Sequence, residues 1–237
     1  MKTSLLKNTL AIAFLAITLT ACFDYEDEGP LQYQEERFNI TDFERIEIGD
    51  AFIIRVTEGN YFSVEVRGDR RNLDDLEVYK SGNTLIVRYD EFENRKHETY
   101  VDIVMPSLSA ALFSSATNSV ITGFDDLESV TIGLSGASVA QIDMEAAQLN
   151  MNLSGASVVD LRGQVNSLQA EISGASSLKA FNMPSVNANL HVSGASVAKV
   201  SVSENLDAHV SGASTVIYRG NPIIHEDVSG GSSLQRD

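Results

Sequence analysis

A tetrapeptide, Ser-Gly-Ala-Ser, is written five times in the second half of this 237-residue chain. A divergent copy, SSAT, precedes the five and another, SGGS, follows them. The first residues of the seven copies are Ser114, Ser135, Ser154, Ser173, Ser193, Ser211 and Ser229. Successive copies are 21, 19, 19, 20, 18 and 18 residues apart. Such a regular period indicates a repeat protein, in which each copy is one unit stacked on the next.

Apolar residues recur at fixed distances from the first Ser of each copy. For the copy at Ser154 they are Leu149 and Leu153 before the motif, and Val159 and Leu161 after it. Mostly polar residues lie between them, which is typical of short strands with one buried face. One unit of this kind cannot bury its own apolar face, but units stacked about 4.8 Å apart share one core. The sequence therefore predicts an all-β fold, a parallel β-helix over residues 107–237 with coils of roughly 19 residues.

The repeated motif is interpreted as the corner between two strands of a coil. Gly136 and its equivalents allow backbone angles that are closed to other residues. We expect the Ala to point its methyl group into the narrow corner and the serines to hydrogen-bond the backbone and neighbouring coils. A catalytic serine is disfavoured, because a nucleophile elbow needs Gly-x-Ser-x-Gly on a strand-to-helix turn with His and Asp partners.

Residues 37–106 are predicted to be further strands that cover one end of the stack. Residues 61–69 alternate apolar and polar side chains, and residues 76–89 indicate a hairpin around Ser-Gly-Asn. Residues 99–105 alternate in the same way, and this predicted strand ends at Pro106, which has no backbone N–H to donate to a neighbouring strand. No amphipathic helix is expected, and residues 37–237 are expected to form one continuous domain.

The first 22 residues have the pattern of a bacterial lipoprotein signal peptide. Lys2 and Lys7 precede a short apolar run, and small residues lead to the sequence LTAC at residues 19–22. This ending resembles a lipobox, in which the Cys carries the lipid after cleavage, and Cys22 is also the only cysteine of the chain. We therefore predict export, lipid attachment at Cys22, and anchoring to the outer membrane, on either the periplasmic or the cell-surface side.

An acidic, flexible tether is predicted at residues 23–36, where the sequence FDYEDEGPLQYQEE shows no apolar periodicity. The whole chain has a formal net charge of -16. Nucleic acid is therefore excluded as a partner, because binding it requires a basic face.

Three elements follow one another along the chain: IEIGDAFIIRVTEGNYFSVEVRGDRRNLDDLEVYKSGNTLIVRY at residues 46–89, YVDIVMPSLSAAL at 100–112, and then the coils. In this order they resemble the bacterial family called putative auto-transporter adhesin, head GIN domain. The resemblance covers about residues 37–237 and implies a right-handed β-helix of secreted or envelope proteins, often lipid-anchored. It supplies no catalytic residue. The divergent coil FSSATNSV at 113–120 departs from the regular corner sequence.

Outward-facing positions of the predicted coils give one candidate site. Residues two positions before each motif would stack into a column that includes Glu171, His191, His209 and Asp227. Imidazole and carboxylate are suitable ligands for a divalent metal. A solvated face with a favourable His–carboxylate ladder is the simpler interpretation and is the one we adopt, with no metal, cofactor or catalytic residue assigned.

The leading functional hypothesis is a non-catalytic, envelope-anchored lipoprotein: a rigid β-helix for adhesion or ligand binding. Its expected partners are the membrane, through the lipid on Cys22, and either a glycan or an envelope protein. A polysaccharide-acting β-helix enzyme and a purely structural envelope component remain as alternatives. A cleft with convergent carboxylates would favour the enzyme, whereas a smooth face of stacked polar residues would favour binding or structure.

Overall fold

Alternating side chains along the repeats build strands that run from one corner to the next. In the computed structural model, which describes residues 29–91 and 93–237, 66% of the chain is strand and 2% is helix. The predicted signal peptide, Cys22 and residues 23–28 of the predicted tether lie outside the described residues. Leu31–Asp237 forms one compact unit. No helix among the described residues has the length and apolarity to cross a membrane.

The elements are numbered in chain order. The first half of the chain contains β1 (Tyr33–Phe38), β2 (Arg45–Ile48), β3 (Ile53–Glu58), β4 (Ser63–Asp69), α1 (Arg70–Asp74), β5 (Leu76–Ser81), β6 (Thr84–Tyr89), β7 (Tyr100–Met105) and β8 (Ala110–Phe113). The repeats contain β9 (Asn118–Leu134), β10 (Val139–Leu153), β11 (Val158–Ile172), β12 (Ser177–Val192), β13 (Val197–Val210), β14 (Thr215–Arg219), β15 (Ile223–Val228) and β16 (Ser233–Arg236).

The repeats stack as the sequence predicts, in a β-solenoid of about 7 turns. Strands β9 to β13 pair in parallel with their neighbours, and the pairing aligns equivalent repeat positions, such as Leu149 with Leu168. Shifts in register fall mid-strand, between the segment that follows one corner and the segment that precedes the next. We call the segments before the corners the front wall and those after them the back wall.

The inward columns predicted from the repeat are confirmed. The four apolar positions around each corner are buried from the coil of Ser135 to the coil of Ser193, as at Leu149 and Leu153 and at Val159 and Leu161. They belong to one core cluster that runs from Phe43 to Val216. The fold therefore rests on apolar columns that run through the middle coils.

The corner differs from its prediction in the direction of one side chain. Gly174 has φ 75°, and the other motif glycines lie between 71° and 78°, as expected. Each Ala, however, is exposed to solvent. The Ser that follows it is at most 1% exposed. Alternation explains this: Leu134, Ser138 and Ala140 share the inward parity, so Ala137 between them faces solvent.

Hydrogen bonds link each corner to the next coil. The Ala175 N–H donates to the Gly155 carbonyl at 2.7 Å, and the same bond recurs in the neighbouring coils. The second serine bonds the backbone inside its corner, as in Ser157 Oγ to the Ser154 carbonyl at 2.8 Å. In later coils its hydroxyl accepts from the coil before, as when Ser176 N–H donates to Ser196 Oγ at 3.3 Å. The motif thus forms a continuous backbone ladder at one edge of the solenoid.

Parallel stacking begins earlier than residue 107, the boundary that the repeats indicate. Strand β2 pairs in parallel with β8, and β3 pairs in parallel with β9, so residues 45–58 already form a coil. Its corner contains Asp50 and Ala51, both with φ 60°, in place of the glycine motif. Strand β1 begins at Tyr33, inside the segment that the sequence assigns to the tether.

Beyond this first coil, β6 and β7 pair in parallel with β2 and β3, and antiparallel strands then extend both walls further. Strands β4 and β1 continue the sheet past β7, and the predicted hairpin of β5 and β6 pairs with β2 through β6. Phe43 and Phe52 are fully buried in this region. The short helix α1, which the sequence analysis does not predict, is capped by Asp69, whose side chain accepts from Arg71 N–H.

Candidate functional site: the polar front wall

The outward side of the front wall carries three columns of polar side chains. The column two residues before the corners contains Gly133, Asn152, Glu171, His191, His209 and Asp227. The column four residues before contains Thr131, Asn150, Gln169, Asn189, Asp207 and His225. The column six residues before contains Ser129, Gln148, Ser167, Asn187, Asn205 and Ile223. Parallel pairing holds all three columns in register across six coils.

The four residues singled out from the sequence do lie in one line. Glu171 pairs with His191, His191 with His209, and His209 with Asp227. The imidazole rings of His191 and His209 are stacked, with centroids 4.8 Å apart and an interplanar angle of 21°. Equal register in consecutive coils is what brings these rings together.

Carboxylates flank the second imidazole of this pair. His209 Nε2 lies 3.3 Å from Asp207 Oδ1, and His209 Nδ1 lies 3.7 Å from Asp227 Oδ2. The His209 side chain is 47% exposed and that of Asp227 is 77% exposed, so water screens both interactions. The described residues contain no group of three or more His, Cys, Asp or Glu side chains arranged to hold a metal ion.

Amide side chains dominate the middle coils of the wall. Within one coil, Gln148 Nε2 donates to Asn150 Oδ1 at 3.1 Å. Between neighbouring coils, Asn205 Nδ2 donates to Asn187 Oδ1 at 2.6 Å. Amides both donate and accept, so a ladder of them leaves further donors and acceptors for a ligand.

Two shallow depressions follow this wall. One has a volume of about 350 Å³ and is lined by Asn150, Asn152, Gln169, Glu171, Asn189 and His191, with two core residues beneath. The other, of about 520 Å³, runs along the corners from Glu171 to Asp227. Because both include Glu171 and His191, they form one continuous polar surface.

A buried charged network in the N-terminal region is not indicated by the sequence pattern. Asp69 is fully buried, and its carboxylate accepts from the Arg71 side chain at 2.7 Å and from the backbone N–H of Gln32 at 2.9 Å. These bonds, led by the one from Arg71, hold the pKa of Asp69 well below its usual range. Gln32 is 37 residues from Asp69, so local spacing carries no signal of this contact.

Tyr89 and Arg95 lie beside this network. The Tyr89 hydroxyl donates to Thr99 Oγ1 at 2.6 Å, and the Arg95 guanidinium lies 3.7 Å from the Tyr89 ring centroid and pairs with Asp75. Burial raises the pKa of Tyr89 to about 12. The network ties α1 and the loop before β7 to the sheet, which is a structural role.

Solved structures resemble the whole solenoid. A "putative adhesin" from Bacteroides fragilis has a TM-score of 0.79 and 19% identity, covering 87% of this chain and 97% of that one. A "putative lipid binding protein" from Parabacteroides distasonis has a TM-score of 0.71 and 16% identity, covering 86% and 96%. A "putative adhesin" from Parabacteroides merdae has a TM-score of 0.68 and 15% identity, with the same coverage.

Because fewer than a fifth of the residues are identical, the likeness to these structures shows a shared fold and nothing more specific. Among curated protein sequences, none matches this chain significantly. A family model described as "Putative auto-transporter adhesin, head GIN domain" matches residues 42–222, which include the first coil, strands β4 to β7 and most repeats. The chain therefore belongs to this family of adhesin-like β-solenoids.

Proposed function

We propose that the protein is a non-catalytic binding module of the bacterial envelope that adheres to its ligand through the front wall. The observation that carries this proposal is the register of the three polar columns, which presents the same kinds of hydrogen-bonding group in coil after coil. The description of solved relatives as adhesins supports the same conclusion.

A rigid wall suits adhesion because little side-chain freedom is lost when a ligand binds to a preorganised surface. The columns are fixed by parallel pairing on both sides and by the buried apolar columns beneath them. A ligand that contacts several coils gains from several weak contacts at once.

The front wall can be tested with the lipid-free fragment 29–237, since Leu31–Asp237 is one compact unit. We expect the fragment to bind intact cells or purified envelope fractions, and Gln169→Lys with Asn152→Lys to abolish that binding. Gln141→Lys, at an exposed back-wall position, is the matched control. Equal loss in the control would contradict a front-wall site, and cleavage of a polysaccharide by the fragment would contradict a non-catalytic role.

Attachment to the envelope is proposed to depend on lipid at Cys22. The support is the order of charge, apolar run, small residues and Cys in the first 22 residues. Cys22→Ser should lose incorporation of radiolabelled fatty acid, with the protein left unprocessed or released. Label retained on the variant would sink this assignment.

The proposed location is the outer membrane. Protease treatment of intact cells distinguishes its two faces: a cell-surface protein is digested, whereas a periplasmic one is protected until the outer membrane is permeabilised. Recovery of the protein with inner-membrane fractions would contradict the location.

A further inference from the structure

We infer that the ligand of the front wall is a neutral, hydroxyl-rich glycan chain lying along the solenoid axis, and this inference rests on the proposed function above. The charge of the wall restricts the chemistry of this ligand. None of the outward positions in the three columns is Lys or Arg, and the last coils add Asp207 and Asp227. Phosphate or carboxylate polymers would meet no compensating cation there and would be repelled by the carboxylates.

Apolar partners fit no better. Ile223, which is 65% exposed, is the only large apolar residue in the three columns. Protein interfaces depend on buried aromatic or aliphatic anchors at their centre. The centre of this wall, around Asn150 and Gln169, has amides instead.

Sugar hydroxyls match these amides group for group. A hydroxyl donates one hydrogen bond and accepts up to two, and the side chains of Asn and Gln also both donate and accept. The depression lined by Asn150, Gln169 and Asn189 has a volume of about 350 Å³ and reaches the stacked imidazole of His191. Donors and acceptors on both partners allow the contacts to be satisfied without any charged group.

The geometry of the coils sets the direction of the chain. Equivalent residues repeat at the spacing of neighbouring strands, about 4.8 Å. A linear polymer of similar repeat, laid along the axis, would meet an equivalent set of polar groups at each coil. A polymer laid across the wall would meet only the three columns.

The back wall shows that this pattern is not a general property of the solenoid. Its outward positions include Val139, Val158 and Val197, and it carries the cations Lys179 and Lys199. Both walls have the same backbone and differ in their outward chemistry. The amide-rich surface is therefore particular to one side.

The experiment uses fragment 29–237 and neutral oligosaccharides of two to eight sugars from glucans, mannans and xylans, with polygalacturonate as the anionic probe. Titration calorimetry should show affinity that rises at least tenfold from the disaccharide to the hexasaccharide for at least one series. Asn150→Ala with Gln169→Ala should lower that affinity at least tenfold, while Gln141→Ala on the back wall should not. Circular dichroism of each variant checks that the fold is retained.

Several outcomes would overturn the inference. They are affinity independent of length, a preference for polygalacturonate, and loss of binding in the back-wall variant. Binding to cells or to an envelope protein without any binding to the neutral glycans would overturn the inference and leave the proposed function standing. Absence of all binding, to cells as well as to glycans, would overturn both.

Discussion

The glycine of each Ser-Gly-Ala-Ser corner is the residue with the least freedom to change. A Cβ added at Gly174 would lie 2.4 Å from the carbonyl oxygen of Gly155, at a φ that side chains rarely adopt. Gly174→Val should therefore lower the free energy of unfolding by about 2–4 kcal/mol. Ala175 is exposed, so Ala175→Leu should change it by less than about 0.5 kcal/mol.

Urea midpoints of the two variants and of Lys179→Ala, at an exposed back-wall position, measure these costs. Equal midpoints for Gly174→Val and Ala175→Leu would contradict the corner geometry. The difference between neighbouring residues is the sharpest test of it.

Tyr89 gives the fold a dependence on alkaline pH. Its pKa is raised from 10.0 to about 12 by burial, so the folded state keeps a proton that the unfolded state has lost. The stability from the neutral hydroxyl is complete below pH 10 and is lost as the pH rises to about 12. Unfolding midpoints measured over this range should fall more steeply for the natural protein than for Tyr89→Phe. Parallel curves would refute the assignment.

Residue spacing predicted the columns but not every direction within the corner. The stack of Glu171, His191 and His209 follows from equal offsets, because parallel coils align equal positions. The inward methyl group was inferred from the small size of Ala, whereas the alternation from Leu134 to Ala140 assigns the inward position to Ser138. The alternation of inward and outward positions was a better guide than side-chain size, since this alternation continues through the bend.

At the scale of elements, the last coil is built differently from the others. Strand β15 places Glu226 in register with buried Ala208, and β16 places Arg236 in register with Tyr218, which packs against the core. Both charges therefore occupy inward positions of a coil whose outer edge has no partner among the described residues. Inward-pointing charges are a known protection of open sheet edges.

Replacing these charges should release that protection. Glu226→Leu with Arg236→Leu should convert a monomer at micromolar concentration into dimers or larger assemblies, as measured by light scattering after size exclusion. The control is Asp227→Leu with Gln235→Leu, which adds the same side chains at outward positions. A monomeric double variant, or equal association of the control, would argue against a protected edge.

The first coil shows why the sequence did not locate the start of the stack. Its corner uses Asp50 and Ala51 at positive φ, so the glycine motif that marks later corners is missing. Its strands are paired with β8 and β9, more than fifty residues further along the chain, and no local period connects them. Repeat spacing identifies elements that resemble their neighbours and misses an equivalent element written in other residues.

At the scale of the whole molecule, each repeat is one interchangeable coil. Excising residues 154–172 joins Leu153 to the corner at Ser173 and allows β12 to stack on β10 with its inward columns intact. We expect this variant to fold cooperatively, with the circular dichroism of a β-protein and a modestly lower unfolding midpoint. Removing residues 154–163, about half a coil, should prevent folding because the inward columns no longer align. Similar behaviour of the two deletions would contradict stacking by equivalent positions.

The corner ladder has a consequence for how such a protein can change over generations. From the coil of Ser135 to the coil of Ser211, each coil is joined to the next by the same hydrogen bond from an alanine N–H to a glycine carbonyl, so duplication or loss of one of these coils needs no new kind of contact. The length of the solenoid and the length of its polar surface would then change together, in steps of one strand spacing, about 4.8 Å. Selection on this chain can thus act on the number of coils while the chemistry of each coil stays the same.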